Sequence, residues 1–358
     1  MLAACGEGAA DEAVGDETPQ VAWVDGRTTH LVQGDVEREI EGEWLPWLWL
    51  PNGDLLLHTP SDSAGMGVYR PASGEFVTET DDEWGRDKHD GGEYGLDGET
   101  GAINAPDVLL RIVDGDQPAD LADGPPHSLV DYDYQLEERA RVELPPADEA
   151  GFQRDYDFPV RVGAVTFIAF EDVRTSGNLD EPRATRGGIV RVEGGRATVT
   201  AEAPYVQQLA LSSDGAAVLA VTSEAPPEMG DVVPDDSRKS VVELDPVTGT
   251  VARDLGAPDA YAGADWQVER VDARGGRVAV QIATEGGDPA ERTWVTDGTT
   301  WSEVAGQSGA SWFWQAGGAA VSWPESGAIT WIDGSDDRRL AGTKVSQRVA
   351  SGSLLQPG

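Results

Sequence analysis

Residues 209–221 read LALSSDGAAVLAV, and residues 240–256 read SVVELDPVTGTVARDLG. Each segment contains an apolar strand, a turn rich in Gly, Asp or Pro, and a second strand that leaves the turn. This order is typical of a β-hairpin, because Gly, Asn and Asp tolerate the positive φ angles that tight turns require. We interpret the first segment as the inner hairpin and the second as the outer hairpin of one four-stranded sheet.

The same two hairpins recur along the chain in strict alternation. Further copies of the outer hairpin lie at residues 22–34, 67–79, 133–144, 188–200, 293–306 and 330–342. Further copies of the inner hairpin lie at residues 47–58, 103–113, 160–170, 270–282 and 312–323, with an abbreviated copy at 348–356. Sheets repeated every ~35 to 60 residues are typical of a β-propeller, in which each sheet is one blade.

Seven copies of each hairpin predict an all-β fold, a seven-bladed β-propeller that spans residues 21–358. The 44 glycines and 22 prolines leave little room for helices, and no helical period of apolar residues extends beyond about two turns. The pattern resembles the WD-repeat and quinoprotein-like propeller superfamilies, most clearly at residues 211–221 and 241–251. The resemblance covers residues 21–357 and implies an architecture without implying a function.

The two ends of the chain predict how the ring closes. The chain begins with an outer hairpin at residues 21–34 and finishes with inner strands at residues 345–356. We expect these halves to pair as one blade, because pairing leaves no open sheet edge. The alternative is a six-bladed ring in which the last inner copy is an unpaired tail.

The charge of the chain excludes one class of partner. There are 65 acidic residues and 26 basic residues, which gives a net charge of −39, and the acids are spread over the whole length. Nucleic acid is excluded as a partner, because its binding requires a basic surface that releases counterions. The ordinary role of such a charge is solubility, and we expect a monomer.

The single cysteine, Cys5, excludes an intrachain disulfide and a cysteine-based metal cluster. Its surroundings, Leu2-Ala3-Ala4-Cys5-Gly6, resemble the lipobox of bacterial lipoproteins, in which the cysteine is acylated and becomes the mature N-terminus. The resemblance implies export and lipid anchoring to the outer face of the cell membrane. The alternative is an incidental thiol on a flexible tail.

Residues 1–20 are expected to be a lipobox remnant followed by a disordered acidic tether, because they are small, acidic and poor in apolar residues. The charged and apolar regions of a signal peptide would precede the lipobox. We therefore expect either that the start has been trimmed or that Met1 is an internal codon.

Long connections between hairpins identify the expected binding face. Turns within a hairpin lie on one face of a propeller and connections between hairpins on the other, where extended loops usually carry binding residues. The long connections are residues 80–102, 115–127, 145–156, 171–187 and 224–239. Their aromatic rings, imidazole and carboxylates suit a sugar, a cationic ligand or a peptide. The predicted ligand-binding residues are Trp84, Asp87, His89, Asp90, Asp155, Tyr156 and Asp157.

Seven tryptophans recur at similar places in the second and last blades, which favours packing between blades over a ligand cage. They are Trp44, Trp47, Trp49, Trp312, Trp314, Trp323 and Trp331.

The sequence contains none of the catalytic motifs of serine hydrolases, zinc peptidases or phosphate-binding loops. We therefore expect no catalytic residues, metal or other cofactor. The oxygen-rich runs 114–124 and 333–337 are the segments that Ca²⁺ would suit, although they lack the ligand spacing of an EF-hand. The sequence thus favours a membrane-anchored binding module for a protein, peptide or glycan at the cell envelope. The alternative is a glycosidase or lyase that uses loop carboxylates as acid and base.

Overall fold

The computed structural model shows seven antiparallel sheets arranged as a β-propeller. It describes residues 19–42, 44–50, 52–58, 66–78, 108–114, 126–148, 151–174, 184–201, 205–212, 215–223, 239–259, 266–284, 292–305, 310–315, 318–323, 328–332, 338–341, 347–350 and 353–356. Within these residues no helix is long and apolar enough to cross a bilayer.

The strands of the first four blades are antiparallel, and those of blade 4 are the longest of the four. Blade 1 contains β1 (Gln20–Asp25), β2 (Thr28–Gln33) and β3 (Val36–Glu41), together with the last strand of the chain. Blade 2 contains β4 (Leu45–Trp49), β5 (Leu55–His58), β6 (Met66–Arg70) and β7 (Glu75–Thr78). The described part of blade 3 contains β8 (Leu109–Asp114), β9 (His127–Tyr132) and β10 (Glu138–Glu143). Blade 4 contains β11 (Phe152–Val162), β12 (Val165–Arg174), β13 (Ala184–Glu193) and β14 (Arg196–Ala201).

The remaining blades follow the same order. Blade 5 contains β15 (Tyr205–Leu211), β16 (Val218–Ser223), β17 (Lys239–Leu244) and β18 (Val251–Asp254). Blade 6 contains β19 (Trp266–Arg274), β20 (Arg277–Thr284), β21 (Arg292–Thr296) and β22 (Trp301–Glu303). Blade 7 contains β23 (Ser311–Gln315), β24 (Gly318–Trp323), β25 (Ala328–Ile332) and β26 (Arg338–Ala341). The chain then returns to blade 1 with β27 (Gln347–Ala350).

The ring is closed by pairing of the two ends of the chain, as the sequence predicts. β27 pairs antiparallel with β1, with Val21 opposite Ala350 and Ala22 opposite Val349. Seven sheets and this pairing rule out the six-bladed alternative.

The division of the closing blade differs from the prediction. The hairpin at residues 21–34 is not the outer pair of strands, because β3 pairs with β2 and forms the outer edge. The end of the chain supplies one inner strand instead of two. Residues 353–356 leave blade 1, and Ser353 forms a bridge with Trp314 of blade 7. The sequence of β3, VEREIE, lacks the apolar pattern that predicts a strand, because its charged residues cover the exposed edge of the blade.

Apolar side chains fill the interfaces between blades. Clusters that combine residues of two neighbouring blades join blades 1 and 2, 2 and 3, 3 and 4, 4 and 5, 5 and 6, and 7 and 1. Trp49 is buried with Ala22 and Leu31 between blades 1 and 2, and Trp331 is buried with Val21 between blades 7 and 1. These contacts confirm the predicted packing role of both tryptophans. The side chain of Trp323 lies outside the described residues.

The up-and-down order of the strands divides the ring into two faces. We call the face with the turns between the first and second and between the third and fourth strands of a blade the short-turn face. The opposite end of the ring is the long-loop face. Gly163, in the turn between β11 and β12 on the short-turn face, has a φ of 58°, as the turn chemistry predicts.

Candidate functional site

The structure places three of the seven predicted ligand-binding residues, and all three lie on β11, the inner strand of blade 4. Asp155, Tyr156 and Asp157 follow the start of β11 at Phe152, near the long-loop face. The sequence predicts that they lie at the end of a loop, but the structure places them within a strand. The other predicted residues, Trp84, Asp87, His89 and Asp90, lie outside the described residues, as does most of the length of the long connections.

Tyr156 points to the opposite side of β11 from its two acidic neighbours, because successive side chains of a strand alternate. It is 5% exposed and packs between blades 3 and 4 with Leu110 and Ile112. Its hydroxyl donates a hydrogen bond to the carbonyl oxygen of Pro145. Burial raises the pKa of this hydroxyl above its ordinary value. Tyr156 therefore has a packing role in the described structure.

A buried ion cluster lies on the same side of blade 4 as Tyr156. The Arg154 side chain has no exposed surface, and its Nε and Nη2 donate to the two carboxylate oxygens of Asp172 at 2.6 and 2.9 Å. Arg186 donates to Asp148 at 3.1 Å. Burial disfavours the charged guanidinium, but the hydrogen bonds and negative charge of Asp172 hold the pKa of Arg154 above its usual value.

This ion cluster explains why the blade 4 strands are longer than the sequence predicts. Arg154 and Asp172 are opposite one another in β11 and β12. Their bidentate pairing lets two charged residues occupy positions that normally require apolar side chains. The predicted connections at residues 145–156 and 171–187 are correspondingly shortened, because β11 begins at Phe152 and β12 continues to Arg174.

On the other side of blade 4, two carboxyl groups lie side by side. Asp155 and Glu171 are opposite one another in β11 and β12, so their side chains share the face that packs toward blade 5. Gln153 Nε2 donates to Asp155 Oδ1 at 3.0 Å. Burial, and secondarily the charge of Asp155, raise the pKa of the half-buried Glu171 to about 7. Asp157 lies farther along the same face, opposite Ala169.

A tyrosine from blade 5 borders this carboxyl pair. Tyr205 begins β15, and burial together with the charge of Glu171 raises the pKa of its hydroxyl. Gly187 lies opposite Glu171 in β13, and a Cβ atom at this glycine would lie 3.0 Å from Tyr205 Cδ1. The glycine therefore allows the tyrosine ring to approach the sheet. We call Gln153, Asp155, Glu171, Gly187 and Tyr205 the carboxyl site.

The carboxyl site combines hydrogen-bond acceptors with a proton that titrates near neutral pH. Near pH 7 Glu171 changes between a neutral donor and a charged acceptor, and a bound cation would favour the charged form. Such a site suits a basic side chain or another cationic group. Among the described residues, no three His, Cys, Asp or Glu side chains are arranged to hold a metal ion. The oxygen-rich runs considered for Ca²⁺ lie outside the described residues, apart from the backbone of Asp114.

Comparisons with known proteins give the fold and no family. No protein-family model matches the chain, and no curated protein matches it. The chain is similar to the β-propeller domain of the Trilobed protease from Pyrococcus furiosus, with a TM-score of 0.52 and 13% identity over 91% of this chain and 94% of that one. It is also similar to the acylaminoacyl peptidase of Pyrococcus horikoshii, with a TM-score of 0.49 and 14% identity over 88% of this chain. The match covers 48% of the peptidase, about half of its length.

The sequence names Asp155 as a candidate but gives no signal for Glu171 or Tyr205, which the structure places beside it. Glu171 directly follows the apolar run VTFIAF, so the sequence predicts it as the first residue of a connection. The missing information was the register of β11 and β12, which places Glu171 opposite Asp155. A like-charged pair in adjacent strands is recognisable only when that register is known.

We predict that Glu171→Gln makes the protein less sensitive to alkaline pH. Between its ordinary pKa of 4.5 and its folded pKa of about 7, Glu171 holds a proton that the unfolded chain has lost. The free energy of unfolding should therefore fall as the pH rises through this window. At pH 8 the variant should be more stable than the unmodified protein by on the order of 1 kcal/mol, because solvent screens a half-exposed group.

The measurement is denaturant unfolding of both proteins from pH 4 to pH 8, in which their stabilities should converge near pH 4. Asp35→Asn is the control, because it removes the same charge from an exposed turn of blade 1. A difference between Glu171→Gln and the unmodified protein that is the same at every pH would contradict the assignment.

Proposed function

We propose that the protein is an extracytoplasmic binding module whose long-loop face binds a peptide segment with a basic side chain. The observation that carries the proposal is the adjacency of Asp155 and Glu171 on the inner strands of blade 4. Both residues are held by a paired sheet, so little conformational entropy is lost when a ligand binds. The geometry supplies acceptors for a Lys or Arg side chain at the end of the ring where the long connections emerge.

The charge of the whole protein supports a cationic ligand. A net charge of −39 attracts basic segments over distances of about a Debye length and repels acidic ones. This long-range field raises the association rate but gives little specificity. Specificity is assigned to the short-range contacts of Asp155, Glu171 and Tyr205. The predicted loop residues Trp84, Asp87, His89 and Asp90 are proposed to complete the site.

The binding test uses a phage-displayed library of random dodecapeptides, selected against the immobilised full chain. We expect selected peptides to contain Lys or Arg and to bind more tightly at pH 8 than at pH 5, because Glu171 is charged only at the higher pH. The double variant Asp155→Asn, Glu171→Gln should weaken binding about tenfold, which corresponds to ~1.4 kcal/mol. The variant His89→Ala, Asp90→Ala tests the contribution of the loop.

The matched control is Asp35→Asn with Glu143→Gln, which removes one Asp and one Glu carboxylate that are exposed and lie outside the carboxyl site. It removes as many negative charges as the site variant does. Equal loss of binding in both double variants would assign the interaction to overall charge and would contradict the proposed site.

A second candidate function is acid and base catalysis on a glycan. The observation in its favour is the pairing of a carboxyl group whose pKa is about 7, Glu171, with a second carboxyl group, Asp155. Glycosidases use a protonated and an ionised carboxyl group in this way. Release of reducing sugar from an oligosaccharide panel, abolished by Glu171→Gln, would favour the enzyme over the binding module.

We also propose that Cys5 anchors the protein to the outer face of the cell membrane. The support is the lipobox-like sequence before and at Cys5, followed by a small and acidic segment suited to a tether. More than one acyl chain is needed for stable anchoring, since each buried methylene contributes about 0.8 kcal/mol.

The anchoring test is fractionation of cells that express the protein from its natural gene. The protein should be found with the membranes, and its first peptide should carry an acylated Cys5 by mass spectrometry. Cys5→Ser should release the protein into the soluble fraction. If the protein keeps the residues before Cys5 and Cys5 carries no acyl chain, the anchor is refuted.

A further inference from the structure

The interface between blades 6 and 7 is built differently from the other six. Among the described residues, its apolar side chains form two clusters and not one that combines both blades. Ala279 and Val295 of blade 6 belong to the first cluster, and Ala319 and Val321 of blade 7 belong to the second. The first cluster is completed by Leu354 and Leu355, which come from the segment after β27.

Two charged residues of β19 accompany this divided interface. The Arg270 guanidinium lies 4.4 Å from the centre of the Phe313 ring in β23. Asp272 is 6% exposed and is opposite Ala279 in β20. Since residues 270 and 272 share one side of the strand, both point toward blade 7. Charged side chains therefore occupy inner positions that apolar residues could have filled.

The segment at residues 353–356, which we call the tail segment, lies against these groups and bends at Leu354 and Leu355. Ser353 exchanges two backbone hydrogen bonds with Trp314, at 2.8 and 2.9 Å. The Ser353 hydroxyl donates to Asp272, and the Leu354 backbone N–H donates to the same carboxylate oxygen at 3.0 Å. Leu355 N–H donates to the Ser353 hydroxyl at 2.9 Å.

The leucines of the tail segment are almost completely enclosed. Leu354 is 2% exposed and Leu355 is 3% exposed. Burial of two leucine side chains removes apolar surface from water and so favours the bound position of the segment. The tail segment is thus held by three kinds of contact. These are a backbone bridge, a carboxylate that accepts hydrogen bonds from a hydroxyl and an amide, and an apolar pocket.

We propose that Asp272, Ala279, Val295 and Trp314 form a peptide-binding site, the tail site, which takes a short segment with a serine followed by two leucines. The tail segment is its occupant within the same chain. β23 is the edge strand of its sheet, and backbone hydrogen bonds to a strand edge, combined with pockets for individual side chains, are a general means of peptide recognition. Every contact described above could be made by a separate peptide, because none of them requires the covalent link to β27.

The tail site is distinct from the carboxyl site. Asp272 and Trp314 lie near the turns that follow β19 and β23, on the short-turn face, whereas Asp155 and Glu171 lie near the long-loop face. The tail site is also distinct from ring closure, because β27 ends at Ala350 and pairs with β1 without the tail segment. Residues 351 and 352 alone link β27 to the tail segment. This short link gives the tail segment a high effective concentration at the site, in the millimolar range for short linkers.

The test inserts a protease recognition sequence between Ser351 and Gly352 of the full chain, which is folded first and cleaved afterwards. The probe is a fluorescein-labelled peptide of residues 351–358, SGSLLQPG. We expect the cleaved piece to remain bound during gel filtration and to be displaced by the labelled peptide. A peptide with alanine in place of Leu354 and Leu355, and a protein with Asp272→Asn, should each bind at least tenfold more weakly. Asp35→Asn, in an exposed turn of blade 1, is the control variant and should bind normally.

A cleaved and still folded protein that does not bind the labelled peptide would overturn the proposal. If the insertion prevents folding, a second experiment uses the full chain without the insertion. This chain carries Leu354→Ala and Leu355→Ala, which weaken the binding of its own tail segment to the tail site. This variant should bind the labelled peptide at least tenfold more tightly than the unmodified chain, whose site is occupied. Equal binding by the two proteins would equally overturn the proposal.

Discussion

The structure depends on packing between sheets that cannot be stable alone. Each blade has at most four short strands, and an isolated sheet of this size exposes two apolar faces to water. Only a closed circle covers both faces of every blade, so the pairing of β27 with β1 affects all seven interfaces. Phe167 and Leu219, both completely buried, depend on the same closure although they lie in blades 4 and 5, far from the chain ends.

Closure also explains the rigidity of the two proposed sites. The inner strands are fixed from both sides by neighbouring blades, and the residues at their ends inherit this rigidity. Asp155 and Glu171 are held near the long-loop face of blade 4. The tail site is held near the short-turn face, at the interface between blades 6 and 7. A rigid ring with two separate faces can bind one ligand through its long connections and a second segment near its short turns. The two sites share a scaffold and no residue.

The sequence predicts the architecture well because the architecture is repeated. Each hairpin carries its own turn chemistry and apolar strands, so local pairing can be recognised seven times over. The register between strands cannot be recognised from the sequence of a single strand. It decides that Glu171 faces Asp155 and that Tyr156 faces away from both, and a polar strand such as β3 has no apolar signal to reveal it. The sequence predicts the two leucines of the tail segment as part of an inner strand. Only tertiary contacts show that they leave blade 1. The roles of Cys5, Trp84, Asp87, His89 and Asp90 stay predictions.

The most direct test of the closed ring is a disulfide placed across its closure in a Cys5→Ser background. One double variant carries cysteines at Val21 and Ala350, and a second carries them at Ala22 and Val349, which are the two adjacent opposed pairs. Hydrogen-bonded and non-hydrogen-bonded pairs alternate along the ladder, so one variant has the closer spacing that favours a disulfide. At least one variant should oxidise fully, shown by the loss of about 2 Da from its mass. The variant with cysteines at Val21 and Val349, two positions that are not opposed in the register, should remain reduced. Failure of both opposed pairs to oxidise, or equal oxidation of the mismatched pair, would contradict the closed propeller.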